Sequence, residues 1–150
     1  MRFWDGSAVV PLLVEESTSG AALREYELDP EVVAWWATEA ECVSALARLE
    51  RDGDLTAASM GEALRRLSAL TKAWREVQPV TAVRTTAIRL LRVHPLRTAD
   101  ALQLGAAIAA AEDHPAVLPL VTLDDRLAQA AEREGFVVVR PDLGPSRPSS

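Results

Sequence analysis

Leu118-Pro119-Leu120-Val121-Thr122 leads through Leu123-Asp124 into Asp125-Arg126-Leu127-Ala128-Gln129-Ala130-Ala131-Glu132-Arg133-Glu134, and Gly135 is followed by Phe136-Val137-Val138-Val139-Arg140. A short apolar run, an amphipathic helical stretch closed by glycine and a second valine-rich run read as strand, helix, strand. Working outward, residues 2–5 read as a short buried strand, followed by a helix with Ser7 as N-cap and Pro11 in its first turn. Thr18–Tyr26 offers another helix, and Val32–Trp36 a second strand. Thr38 reads as the cap of a helix to about Arg51, with Gly53 placed for a left-handed C-cap. Leucines at 64, 67 and 70 and apolar residues at 88 and 91 predict helices over Ala57–Val77 and Thr81–Val93. His94-Pro95 breaks the pattern, and Thr98 caps a helical run over Ala99–Glu112. Four strands alternating with helices predict an α/β fold, with a mostly parallel sheet covered on both faces. Successive strand residues face opposite sides, so one of Trp35 and Trp36 belongs to the core, but not both.

The 150 residues are 49% hydrophobic and 25% charged, the balance of one soluble globular domain. That domain is expected over residues 1–143, with the Pro/Ser-rich residues 144–150 as a disordered tail. No apolar run approaches the roughly 18 residues that a spanning helix requires. The single cysteine, Cys42, excludes an intramolecular disulfide framework and a Cys-cluster zinc site. No secretory signal pattern is visible, and a reducing cytoplasm is the expected location. Formal charge is -6, yet residues 1–64 balance at -9, residues 65–97 at +7 and residues 98–150 at -4. A basic surface laid across an acidic body is one reading of this asymmetry, and a solvated helical face is the other.

In open parallel sheets, ligands bind beyond the carboxyl ends of the strands. Asp5 ends the first predicted strand and Asp124 follows the third, while Glu41 and Asp100 fall in first turns of helices directed to the same edge. Four carboxylates on one rim repel one another and need compensating charge. A hard divalent cation supplies it, and all-oxygen ligation suits Mg²⁺ or Mn²⁺. Each residue also has a purely structural reading. Asp5, Asp100 and Asp124 suit helix N-termini, and Thr38 with Glu41 fits a capping box. Glu39 competes with Glu41, but the two lie about 200° apart on a helix and cannot share a face.

The blocks Phe3-Trp4-Asp5-Gly6-Ser7-Ala8-Val9, Glu41 to Arg48, Leu96-Arg97-Thr98-Ala99-Asp100-Ala101-Leu102-Gln103-Leu104-Gly105, and Val121-Thr122-Leu123-Asp124 with the helix behind it resemble the four signature blocks of PIN-domain ribonucleases. Among these the chain is most similar to the VapC toxins. The blocks stand in family order and span residue 2 to about residue 140. Gly6 departs from the more usual serine, threonine or alanine, and Gly105 stands where alanine is frequent. The resemblance implies a PIN-like three-layer α/β/α sandwich, with Asp5, Glu41, Asp100 and Asp124 as the catalytic, metal-binding quartet. Asp124 is preferred over Asp125 because it aligns with the family's Thr-x-Asp pattern.

The resemblance also implies hydrolysis of RNA phosphodiesters with Mg²⁺ or Mn²⁺, a cognate VapB-like antitoxin that masks the site, and a homodimer. Ser7, Thr98 and Thr122 adjoin the quartet and serve either as carboxylate-orienting donors or as N-caps. Arg97, Arg92 and Arg89 lead the candidates for RNA contact, with Arg65, Arg66, Arg75 and Arg84 further along the basic segment. His94 and His114 precede prolines and are expected as exposed linkers rather than ligands. A haloacid-dehalogenase-like domain needs Asp-x-Asp where this chain has Asp5-Gly6-Ser7, and a receiver domain needs a late lysine where the sole lysine is Lys72. No phosphate loop of the Gly-x-x-x-x-Gly-Lys type occurs. The non-enzymatic alternative is a PIN-fold binding module that has lost catalysis and acts through RNA or antitoxin contacts.

Overall fold

Phe3 and Trp4 are neighbours in the chain and both are fully buried, which a strand achieves only inside a sheet covered on both faces. The computed structural model describes residues 1–143, so the tail expected to be disordered lies outside the described residues. Strands β1 (Arg2–Trp4), β2 (Val32–Trp35), β3 (Arg75–Val77), β4 (Leu120–Val121) and β5 (Val138–Val139) form one sheet in the order β3-β2-β1-β4-β5. Every pairing is parallel, with Phe3 in register with Val33 on one side and Leu120 on the other. The helices are α1 (Gly6–Leu13), α2 (Ser19–Leu28), α3 (Thr38–Arg51), α4 (Ala57–Ala73), α5 (Thr81–Val93), α6 (Thr98–Ala110) and α7 (Asp125–Arg133).

Strand alternation sorts the core into two halves. Phe3, Val33, Trp35 and Leu120 pack against α5, α6 and α7, whereas Trp4, Val32, Ala34 and Val121 pack against α1, α3 and α4. This is the expected three-layer sandwich. Trp35 is buried and Trp36, at 54% exposure, is not. Gly53 and Gly135 close α3 and α7 at φ +79° and +99°, a conformation that side chains with a Cβ rarely adopt. Among the described residues no helix is long and apolar enough to cross a membrane.

The structure corrects several expectations. The helix predicted to reach Val77 ends at Ala73, and Arg75–Val77 form β3 on the sheet edge beside β2. Trp74 stands four residues after Leu70, where the next buried helical position would fall, and so conceals the end of the helix; its backbone is already extended (φ -76°, ψ 158°). Arg75 and Glu76 are exposed, and an edge strand with charged residues shows no apolar alternation to read. The strands expected over Leu118–Thr122 and Phe136–Arg140 shrink to two residues each, although Leu118 and Phe136 still bury beside them. Asp5, Ala37 and Arg97 occupy the N-cap positions assigned to Ser7, Thr38 and Thr98, and none of the three side chains caps. His94 is buried rather than exposed, with Nε2 2.9 Å from Glu134 Oε2.

The basic segment is not one surface. Arg65 and Arg66 lie on α4, in one helical layer, and both pair with Glu62. Arg84, Arg89 and Arg92 lie on α5, in the opposite layer. Arginines of one basic stretch of sequence thus lie on opposite sides of the sheet.

Candidate functional site

The sheet order reverses between β1 and β4, because β2 and β3 extend one way from β1 while β4 and β5 extend the other. A crevice opens beyond the carboxyl ends at such a reversal. Asp5 follows β1 and Asp124 follows β4 by three residues. Glu41 stands in the first turn of α3, and Asp100 in that of α6.

Asp5 is buried, and its Oδ1 accepts from the Ser7 hydroxyl at 2.8 Å. The same Ser7 oxygen accepts from the Leu123 backbone N–H at 2.9 Å and lies 3.3 Å from Thr122 Oγ1. Thr122 Oγ1 in turn accepts from the Asp124 N–H at 3.0 Å. Two hydroxyls therefore sew the end of β1 to the end of β4. Asp124 caps α7 by accepting from the Leu127 N–H at 2.8 Å through Oδ1; its structural reading is thus observed, and Oδ2 makes no such bond. Thr98 is exposed, and no hydrogen bond joins its hydroxyl to the carboxylates among the described residues, so the orienting role expected for it is not formed.

That role falls instead to Gln103, which the sequence reading passed over. Gln103 is buried on α6, and its Nε2 donates to Glu41 Oε2 at 2.7 Å and to Thr38 Oγ1 at 3.0 Å. The capping box expected between Thr38 and Glu41 is absent, because both side chains turn to Gln103. A buried glutamine among alanines and leucines, one helical turn after Asp100, was the available signal. Glu39 is exposed, on the other side of α3.

The electrostatics show how the four acids share space. Burial pushes Asp5 up to about 7, against the pull of the Ser7 and Thr122 hydroxyls, and the charge of Asp124 pushes the same way. Glu41 is raised by burial, opposed by the Gln103 N–H and reinforced by Asp100. Asp100 is raised by burial and by Asp124, while Arg97 and Arg126 oppose the rise. The acids are thus linked in a chain from Asp5 through Asp124 and Asp100 to Glu41. Cys42, beside them, is held as a thiol by burial, which pushes it up to about 12.

Among the described residues no three His, Cys, Asp or Glu side chains converge closely enough to ligate one ion as they stand. The donor chemistry nonetheless fits a hard divalent cation: Asp5, Glu41, Asp100 and Asp124 offer carboxylate oxygens, and the ionised form of Asp5 needs a positive charge that no ion pair among the described residues provides.

Arg97, Ala99, Asp100, Asp124, Asp125 and Arg126 line an open cleft at this rim. Arg126, in the first turn of α7, was not among the expected substrate contacts, yet it lines the same cleft as Arg97 and the two acids. Arg89 is tied to Glu134 at 2.6 Å, at the far end of α7 from Asp124, about 15 Å along the helix axis. Arg92 is exposed near the end of α5. Asp125 is engaged by Arg140 at 2.8 Å.

Comparison with known proteins settles the family. Ribonuclease VapC45 of Mycobacterium tuberculosis (strain CDC 1551 / Oshkosh) is 31% identical to this chain over 143 residues, covering 95% of the chain and 97% of the relative. The chain belongs to the VapC ribonuclease family. Ribonuclease VapC49 of Mycobacterium tuberculosis (strain ATCC 25618 / H37Rv) shows the same identity and coverage, and no family model matches. The solved structure of PAE2754 from Pyrobaculum aerophilum superposes at a TM-score of 0.61 and 18% identity, over 95% of this chain and 90% of that one. FitAcB from Neisseria gonorrhoeae superposes at 0.64 and 16% identity, over 94% and 98%. FitAB bound to an IR36 DNA fragment gives 0.65 and 14%, over 94% and 95%. At those identities the likeness is one of fold, the PIN-like sandwich described above.

Proposed function

We propose that the chain is a metal-dependent endoribonuclease toxin acting in the cytoplasm, with Asp5, Glu41, Asp100 and Asp124 as its catalytic, metal-binding carboxylates, and that a cognate VapB-like antitoxin neutralises it. The position of these four acids, after β1 and β4 and in the first turns of α3 and α6 at the reversal of strand order, carries the reading, and the relatives named ribonuclease VapC support the substrate class. Those carboxylates would hold Mg²⁺ or Mn²⁺, which would supply Lewis acidity to a water and to the phosphate oxygens. The protein's own part is positioning. Asp5 is oriented by Ser7, and Ser7 by the Leu123 N–H. Arg97 and Arg126 flank the acids and offer guanidinium groups to a phosphate approaching a pocket that would otherwise repel it. Arg92 remains a candidate for more distant strand contact, while Arg89 is committed to Glu134. A homodimer belongs to the proposal, supported by exposed Ile88, Leu91 and Val93 on α5 and Val80 just before it.

The test is to express the wild type, Asp5→Asn and Asp100→Asn with and without the neighbouring gene product, and to sequence new RNA 5′ ends. New ends in the wild type alone, suppressed by the neighbour, are expected. Cleavage that persists in both variants overturns the reading.

A further inference from the structure

We infer that Gln103 is a positioning residue that holds Glu41 for cation binding, an inference that rests on the proposed metal site. Gln103 is the only buried polar side chain on α6, whose other buried residues are Ala101, Leu104, Gly105, Ala106, Ala107 and Ile108. Burying an amide in such a face is unfavourable unless its hydrogen bonds are made. Here only half are made. Nε2 donates twice, to Glu41 and Thr38, while Oε1 is buried with no partner among the described residues. The opposite orientation of the amide would bring its oxygen against the Glu41 carboxylate, oxygen to oxygen. The orientation adopted therefore serves Glu41 at the expense of Oε1.

The geometry explains what this achieves. Thr38 and Glu41 lie three residues apart on one face of α3, and the Gln103 amide spans them from α6. Asp100 and Gln103 are likewise one turn apart on α6, so a single helix both delivers one carboxylate to the rim and restrains another. Glu41 is only partly buried and is repelled by Asp100. Unrestrained, its long side chain would swing toward solvent. A charge-assisted bond from Nε2 to Oε2 keeps it at the rim and leaves Oε1 of Glu41 available to a cation.

Mn²⁺ titration of purified protein, read by calorimetry and independent of RNA cleavage, tests this. Gln103→Leu and Gln103→Met remove the donors while keeping apolar volume, and whichever folds by circular dichroism serves. Either should weaken Mn²⁺ binding by about 10- to 100-fold, and on a Glu41→Gln background should weaken it no further. A residue acting only on packing would lower Tm and leave Mn²⁺ affinity alone, and that result overturns the inference while the metal site stands. Equal multiplicative losses on both backgrounds overturn it too, because Gln103 would then not act through Glu41. Absence of Mn²⁺ binding by the wild type removes the metal site itself, and this role with it.

Discussion

Arg89 donates to Glu134 Oε1 at 2.6 Å, and His94 Nε2 lies 2.9 Å from Oε2 of the same carboxylate. Glu134 thereby joins α5, the loop after it and the end of α7, the helix that carries Asp124 at its other end. The Arg89 N–H holds the Glu134 carboxyl below its usual value, against partial burial and with help from His94. A carboxyl depressed by folding stabilises the fold above its unfolded value of 4.5, and that contribution is lost as pH falls through the lower folded value. Glu134→Gln should therefore cost about 1 kcal/mol at pH 7. Urea titrations at descending pH should show the gap between wild type and variant closing below 4.5. A gap that is constant with pH would remove the charge from the argument.

Gly105 makes a sharper steric case. A Cβ there would stand 2.9 Å from the Val83 carbonyl oxygen and 3.4 Å from the Ala87 nitrogen, both backbone atoms of α5. Alanine in a helix interior gains up to about 1 kcal/mol over glycine, but forcing two packed helices apart costs about 1–3 kcal/mol. Overpacking wins, and Gly105→Ala should be less stable by about 1–2 kcal/mol in chemical denaturation. Gly61→Ala on α4 is the control, since its Cβ meets only the tip of Arg65 at 3.6 Å. That substitution should stabilise.

Gly105 also marks what the sequence could disclose. Its departure from the family's frequent alanine was visible, but the helix approach that requires it was not, because contact between α5 and α6 leaves no local pattern. Strands β1 and β2 were legible from apolar runs flanked by turns, and α5 from its period. Strand β3 was not, since an edge strand of Arg75 and Glu76 owes its state to pairing with Val33 and Ala34. At the candidate site, the placement of Asp5 and Asp124 after β1 and β4 and of Glu41 and Asp100 in the first turns of α3 and α6 was legible from the strand-end rule and the resemblance together. The bond from Gln103 to Glu41 and the place of Arg126 in the cleft were not, because each depends on residues of another element.

Ser7 is the joint of the β1–β4 seam. Ser7→Ala removes the donor to Asp5 and leaves the Leu123 N–H without its partner. Stability should fall by about 1–3 kcal/mol, and Mn²⁺ affinity by about 10-fold or more as Asp5 loses its fixed orientation. Parallel denaturation and Mn²⁺ titration read the two effects. Unchanged Mn²⁺ affinity in a destabilised variant would make Ser7 a purely structural tie.

Arg97 and Arg126 separate substrate contact from general charge. Both line the cleft with Asp100 and Asp124, and neither forms an ion pair among the described residues. Each guanidinium that neutralises one phosphate of a single strand contributes about 0.7 to the slope of log affinity against log salt. Arg97→Ala and Arg126→Ala should each reduce that slope by about this amount, measured with EDTA present so that the strand stays intact. Arg89→Ala removes the same formal charge from a group already paired with Glu134 at the other end of α7. Its slope should match the wild type. If all three variants shift the slope equally, net charge rather than the cleft governs binding, and the assignment of Arg97 and Arg126 to the substrate fails.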